Sequence, residues 1–226
     1  QDPSKDDDHA SSITPDQYPT QQQLYEHYFE QDVQAIDVAC TVGTPDCYTL
    51  EGSTLIFSGI TADSIYTISG QFRGNIVIDV DEDCRFELEL RGFSLVCDTT
   101  SPITVLGGDK VTLTAKKGFV NAVYDCREAL EENSTQYSAA IYALTDLDIG
   151  GKGALTVVSQ HNNGIHTKDD LEVKNLTLTV CCADNALKGN DSVDLKNATI
   201  TLIATQGDGI KTTNSNVSDK GNQRGT

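Results

Sequence analysis

The sequence predicts an all-β fold, a right-handed parallel β-helix with a short N-terminal helix cap, and three observations carry that expectation. Aliphatic residues recur at a steady period: Ile141, Ile165, Leu187 and Ile210 follow one another at spacings of 24, 22 and 23 residues, the mark of a repeated structural unit. Within each unit apolar and polar residues alternate, as they do in half-buried strands. Composition agrees. The chain has no Trp, no Met and only 6% aromatic residues, so its core falls to Val, Ile, Leu and Thr, which closely stacked strands favour.

Residues 1–47 read as a polar N-terminal segment. Its start, QDPSKDDDHASSI, is acidic and Ser-rich, as expected of a flexible lead. Thr20-Gln21-Gln22-Gln23 has the form of a capping box ahead of Leu24, Tyr25, Tyr28 and Phe29. That spacing predicts a short amphipathic helix, which would cover the strand edge that a first rung exposes. Residues 48–226 form the β-helix, opening with period-two runs at 54–57, 65–68, 76–78, 86–90 and 111–114 punctuated by Gly, Asp and Ser. A segment near 118–138 breaks this rhythm and is expected as a loop inserted between rungs. Beyond it, GIHTKDDLEVKNLTLTV from Gly164 aligns on ALKGNDSVDLKNATITL from Ala186, with Leu147/Leu171/Val193, Val173/Leu195, Leu178/Ile200 and Val180/Leu202 in step. Three short strands per unit make a triangular coil. Stacked at about 4.8 Å, such coils bury an aliphatic core that no single coil could bury alone.

A net charge of −18 and a pI near 4.3 argue against nucleic acid or an anionic membrane surface as partner and suit a protein that binds cations. No apolar run approaches the roughly 20 residues of a membrane span. Gln1 and the polar stretch after it read as a mature N-terminus, so the expected location is secreted, extracellular or at the cell surface. The seven cysteines (Cys40, Cys47, Cys84, Cys97, Cys126, Cys181, Cys182) lack paired C-x-x-C spacing. They are expected as a few disulfides or small buried side chains, with Cys40 and Cys47, which bracket a turn-rich segment, as the foremost pair. Sequons stand at Asn133, Asn175, Asn190, Asn197 and Asn216.

Stacking places equivalent polar residues above one another. One ladder is Asp169/Asp191, with Asp146 and Asp170 beside it; a second is Asn163/Asn185/Asp208, with Asp184 adjacent. Like charges a rung apart repel by about 1 kcal/mol in water and about 4 kcal/mol at an effective dielectric of 20, so an acidic ladder calls for cations. Carboxylate, amide and carbonyl oxygens are hard ligands, which favours Ca²⁺ over zinc or copper. The structural alternative is that Asp and Asn simply bond the turn backbone. His166/Lys188/Lys211 form a cationic ladder which, with Lys168, is the expected polysaccharide-binding set. The Lys174/Lys196 and Asn175/Asn197 pairs fall at a turn, where side-chain amide stacking accounts for the Asn pair.

The segments ITVLGGDKVTLT, NNGIHTKDDLEV, DNALKGNDSVDLKNATITL and GDGIKTTN resemble the secreted carbohydrate-binding domain-containing β-helix family, which is related in fold to pectate lyases. The resemblance runs from about residue 48 to the end. It is most specific in the D-G-I-K-x-K-D-D-L pattern, matched by 164–171 with His in place of the first Lys. It implies a calcium-binding, polysaccharide-binding cell-surface protein, linked to cellulose and polygalacturonate, and no efficient lyase. The chain departs from the pattern where Lys174-Asn175 and Lys196-Asn197 replace a usual Gly-Gly turn, and in its load of Cys and sequons. Its end, GNQRGT, reads as the entrance to another rung.

The expected function is therefore non-catalytic, Ca²⁺-dependent binding of an acidic or cell-wall glycan. One alternative is a structural subunit that forms a homo-oligomer or filament by end-to-end stacking of open β-helix ends. A lesser one is a polysaccharide lyase, whose chemistry needs calcium on the uronate and a basic side chain for the C5 proton.

Overall fold

The structure is a computed structural model and describes residues 34–217 and 221. The expected helix at 20–29 lies outside the described residues. Every regular element among the described residues is a strand, and the strands stack into three faces of a parallel β-solenoid. The first face runs through β3 (Thr54–Ser58), β5 (Asn75–Asp79), β7 (Ile103–Val105), β10 (Ala139–Ala143), β13 (Asn163–Thr167), β16 (Leu187–Gly189) and β19 (Ile210–Thr212), all parallel. The second runs through β4 (Ser64–Arg73), β6 (Arg85–Cys97), β8 (Lys110–Ala115), β11 (Asp146–Gly151), β14 (Asp170–Lys174) and β17 (Ser192–Lys196). The third starts on the later half of β6 and continues through β9 (Val120–Asp125), β12 (Ala154–Ser159), β15 (Thr177–Cys182) and β18 (Thr199–Ala204).

Two strands interrupt the parallel order. β1 (Gln34–Val42) lies antiparallel on β4, and β2 (Tyr48–Glu51) lies antiparallel on β3. The β-structure thus begins before residue 48, where the sequence placed its start. The 118–138 segment also needs correction. Val120–Asp125 is strand β9, bonded to β6 and β12, so the irregular insertion is confined to 126–138. Val123 points into the core, but the polar residues around it hide its period.

Registry sets the core. Leu55, Ile76, Ile103, Ile141, Ile165, Leu187 and Ile210 stack in one column, residue on residue; from Ile141 onward the column follows the 22–24-residue period, and before it the rungs are irregular in length. Near the N-terminus the column is flanked by aromatics: Phe57 lies 5.3 Å from Tyr66 and 5.2 Å from Phe86. The Tyr66 hydroxyl donates to the Thr44 carbonyl at 2.5 Å and accepts the Cys47 amide at 3.1 Å; burial pushes its pKa up to about 12. Toward the other end the core thins, and Leu195 and Ile210 are 42% and 47% exposed.

The corner between the second and third faces requires a positive φ. Gly92, Gly151, Asn175 and Asn197 supply it at 71°, 117°, 62° and 50°. Asn is the side chain that best tolerates this region besides Gly, and backbone conformation, ahead of amide stacking, explains Asn175 and Asn197. All seven cysteines are free thiols, which corrects the expected disulfides. Cys40 and Cys47 donate instead to the carbonyls of Val42 and Gly59. No helix among the described residues is long and apolar enough to cross a membrane.

Candidate functional site

Where the first face turns into the second, three carboxylates meet. Asp146 opens β11; one rung on, Asp169 and Asp170 stand at the start of β14. Thr167 shapes the turn, donating to the Thr145 carbonyl at 2.6 Å and accepting the Asp169 amide at 3.2 Å. The Asp170 amide reaches Asp146 Oδ1 at 3.4 Å. One oxygen from each of Asp146, Asp169 and Asp170 lies within 4.8 Å of the others. The Asp146 pKa is raised, first by burial and then by the charge of Asp169, with Asp170 adding its own and Lys110 opposing. Three converging carboxylates with no His or Cys among them are the kind of donor set that could hold a hard cation such as Ca²⁺.

The remaining expected metal residues fall elsewhere. Asn163, Asp184, Asn185 and Asp208 occupy the opposite corner, before the first face. There Asn163 Nδ2 donates to the Ser138 carbonyl at 2.7 Å, while its Oδ1 accepts the amide and side chain of Asn185 at 3.1 and 2.8 Å. Asn185 Oδ1 in turn accepts the Asp208 amide at 3.2 Å, and its Nδ2 also donates to Asp184 Oδ1 at 2.8 Å. Both Asn side chains are 2% exposed. This is a self-satisfied amide ladder. Asp191, above Asp169, accepts from Asn214 Nδ2 at 2.5 Å.

Three of the four expected sugar-binding residues, His166, Lys188 and Lys211, share the first face. Tyr142, His166, Lys188 and Lys211 pair in register along β10, β13, β16 and β19 and point away from the Ile column. Lys168 is exposed in the turn beside Asp169. His166 is 4% exposed. Burial, then the charges of Lys188 and Lys168, depress its pKa to about 4, against a weak opposing influence from Asn190. Burial also lowers the Lys188 pKa, with Asp184 opposing and Lys211 and Lys168 adding. Lys211 sits 3.3 Å from Asp208.

A third feature escaped the sequence reading. The second face carries a groove of about 420 Å³ lined by Arg85, Lys110, Lys174, Asp63, Glu87 and Asp148. Asp148 is 5% exposed and bridges Lys110 at 3.4 Å and Lys174 at 2.9 Å. In register, Arg85 and Lys110 lead directly to Asp146, so the groove abuts the three-carboxylate corner. A signal existed: Asp148, Glu172 and Asp194 share one outward column. Lys174 and Lys196, which meet it, lie in the aligned repeats, whereas Lys110 comes from a rung whose repeat is too degraded to align.

A family profile described as carbohydrate-binding domain-containing protein matches residues 52–224. A curated protein of the same description from Acetivibrio thermocellus is 34% identical over 124 residues, 54% of this chain and 43% of that protein. The chain thus spans under half the length of this curated relative. Among solved structures, a polysaccharide lyase-like protein from C. thermocellum, solved as a gadolinium derivative, superposes with a TM-score of 0.67 and 29% identity, covering 77% of this chain and 70% of that one.

Proposed function

Since the chain belongs to the carbohydrate-binding domain-containing protein family, we propose that it binds acidic polysaccharide outside the cell through Ca²⁺ held by Asp146, Asp169 and Asp170. The observation that carries this reading is the convergence of those three carboxylates within 4.8 Å. Beside them stand basic groups, Lys110 and Lys168, which suit the carboxylate of a uronic acid. A bridging Ca²⁺ reconciles a chain of charge −18 with an anionic ligand, because the ion takes oxygens from both partners. Retention on immobilised polygalacturonate tests the proposal. Retention in calcium, its loss in chelator, and its loss in Asp169→Asn are expected; equal retention with and without chelator would sink it.

A second reading, β-elimination of the bound glycan, is favoured by one observation. Lys188 has a pKa lowered by burial, which moves an ammonium toward use as a base. Ultraviolet absorbance of an unsaturated uronate product would appear with wild type and vanish with Lys188→Ala. A flat trace beside an active control enzyme removes this reading.

A further inference from the structure

The 126–138 insertion is tied down by a guanidinium whose five donors are all engaged. Arg127 grips both oxygens of Asp125 at 2.8 and 2.7 Å. Its other donors reach the carbonyls of Tyr137 and Ala139 at 2.8 and 3.1 Å and Gln136 Oε1 at 3.3 Å. Asp125 also accepts from Ser159 at 3.1 Å and Asn162 at 3.2 Å. The two charged side chains are 3% and 0% exposed. Desolvation offsets much of the attraction in a buried pair, so this one is poorly explained by stability alone. Its geometric effect is to fix the backbone at residue 137.

That backbone delivers a ring to the first face. Tyr137 stacks on Tyr142 with centroids 4.5 Å apart and planes at 24°. Tyr142 is 5% exposed and Tyr137 half-buried, so the stack presents the outer face of Tyr137. Tyr142 belongs to the His166–Lys188–Lys211 row by register. His166 meets it edge-on at 4.9 Å and 78°, and neither imidazole nitrogen has a hydrogen-bond partner.

We propose that Tyr137 is a sugar-stacking platform, and that a glycan lies along the solenoid axis with a pyranose C–H face on Tyr137 and its carboxylates over Lys188 and Lys211. This rests on the glycan-binding reading above and adds the direction of the chain and the surface that meets a flat apolar sugar face. Rungs about 4.8 Å apart are close to the length of one sugar in an extended chain, which lets successive residues meet successive rungs. Aromatic faces are suited to such contacts because they bury much apolar area at little conformational loss.

Titration calorimetry with hexagalacturonate in calcium, and separately with cellohexaose, tests this on wild type, Tyr137→Ala and Tyr137→Phe. Arg127 holds only the carbonyl of residue 137, so both variants keep the clamp, and unchanged thermal midpoints verify it. Tyr137→Ala should weaken hexagalacturonate about tenfold, while Tyr137→Phe stays within about twofold. The proposal is overturned if the alanine variant matches wild type, if Phe loses as much as Ala, or if wild type binds neither sugar. Repeating the titrations in chelator separates the two readings. Chelator-insensitive binding that still depends on Tyr137 removes the calcium reading alone; chelator-sensitive binding indifferent to Tyr137 removes the platform alone.

Discussion

The two corners that flank the first face use the same sequence device, a polar residue repeated once per rung, and reach opposite electrostatic states. At the amide corner, Asn163 and Asn185 each carry a donor and an acceptor, so each rung satisfies the next at 2.8–3.2 Å. At the acidic corner, Asp146, Asp169 and Asp170 can only accept while ionised. Stacking therefore brings like charges together, and burial raises the Asp146 pKa. One ladder is complete within the chain; the other, under the proposed function, is completed by a cation. A polar ladder is structural when its members complement one another, and a binding site when they do not.

The largest expected effect breaks the complete ladder. Asn185→Ala removes bonds to Asn163, Asp184 and Asp208 at a 2%-exposed position and should destabilise by about 3 kcal/mol. Thermal unfolding should show this equally with and without calcium; a calcium-dependent loss would place the cation at the wrong corner.

Next comes the cation itself. At a hundredfold excess over its dissociation constant, calcium should add about 2.7 kcal/mol to wild type and far less to Asp169→Asn. Differential scanning calorimetry in calcium and in chelator reads the difference, and an equal gain in both proteins would refute the assignment.

The pH dependence sharpens the contrast. The folded Asp146 carboxyl has a pKa above its unfolded value, so its stabilising contribution is present below the ordinary Asp range and lost as pH rises through the raised pKa. Calcium opposes that loss, and its stabilisation should shrink as pH falls and protons compete. His166, held near 4 by burial and by Lys188 and Lys168, favours the fold above its unfolded value of 6.5 and loses that contribution as pH falls toward about 4. His166→Phe should flatten this window in a plot of thermal midpoint against pH, while leaving the calcium dependence in place.

The smallest effect is one of sign. Glu172 is held near 2 by Lys174 and then Lys196, whereas Asp169 repels Asp146. Two charge-equivalent changes in chelator should therefore act oppositely: Glu172→Gln destabilises by about 0.5–1 kcal/mol, and Asp169→Asn stabilises by up to about 1 kcal/mol. Denaturant midpoints of the same sign would show that net charge, and not local pairing, governs the second face.

The sequence disclosed the solenoid because its period is a one-dimensional signal. The Ile141–Ile165–Leu187–Ile210 column could be aligned by eye, and the structure pairs those residues directly. The early rungs were blurred: β4 and β6 run 10 and 13 residues, and β1 and β2 pair antiparallel, which no repeat announces. At the site, Asp146, Asp169 and Asp170 were legible as ladder neighbours. Asn163 and Asn185, in a separate ladder, are expected ligands as well, because residue type does not say whether an amide is already satisfied by its neighbours.

By itself, the sequence determined the rung, the inward aliphatic column and the set of outward polar ladders, because each is a matter of periodicity and side-chain type. Tertiary structure alone decided which polar residues converge and which satisfy one another. It alone brought Tyr137 onto Tyr142 through the buried Arg127–Asp125 pair and set Lys110 beside the carboxylates. Those outcomes depend on distances of a few ångströms between residues far apart in the chain, and on solvent exclusion, neither of which a linear pattern encodes.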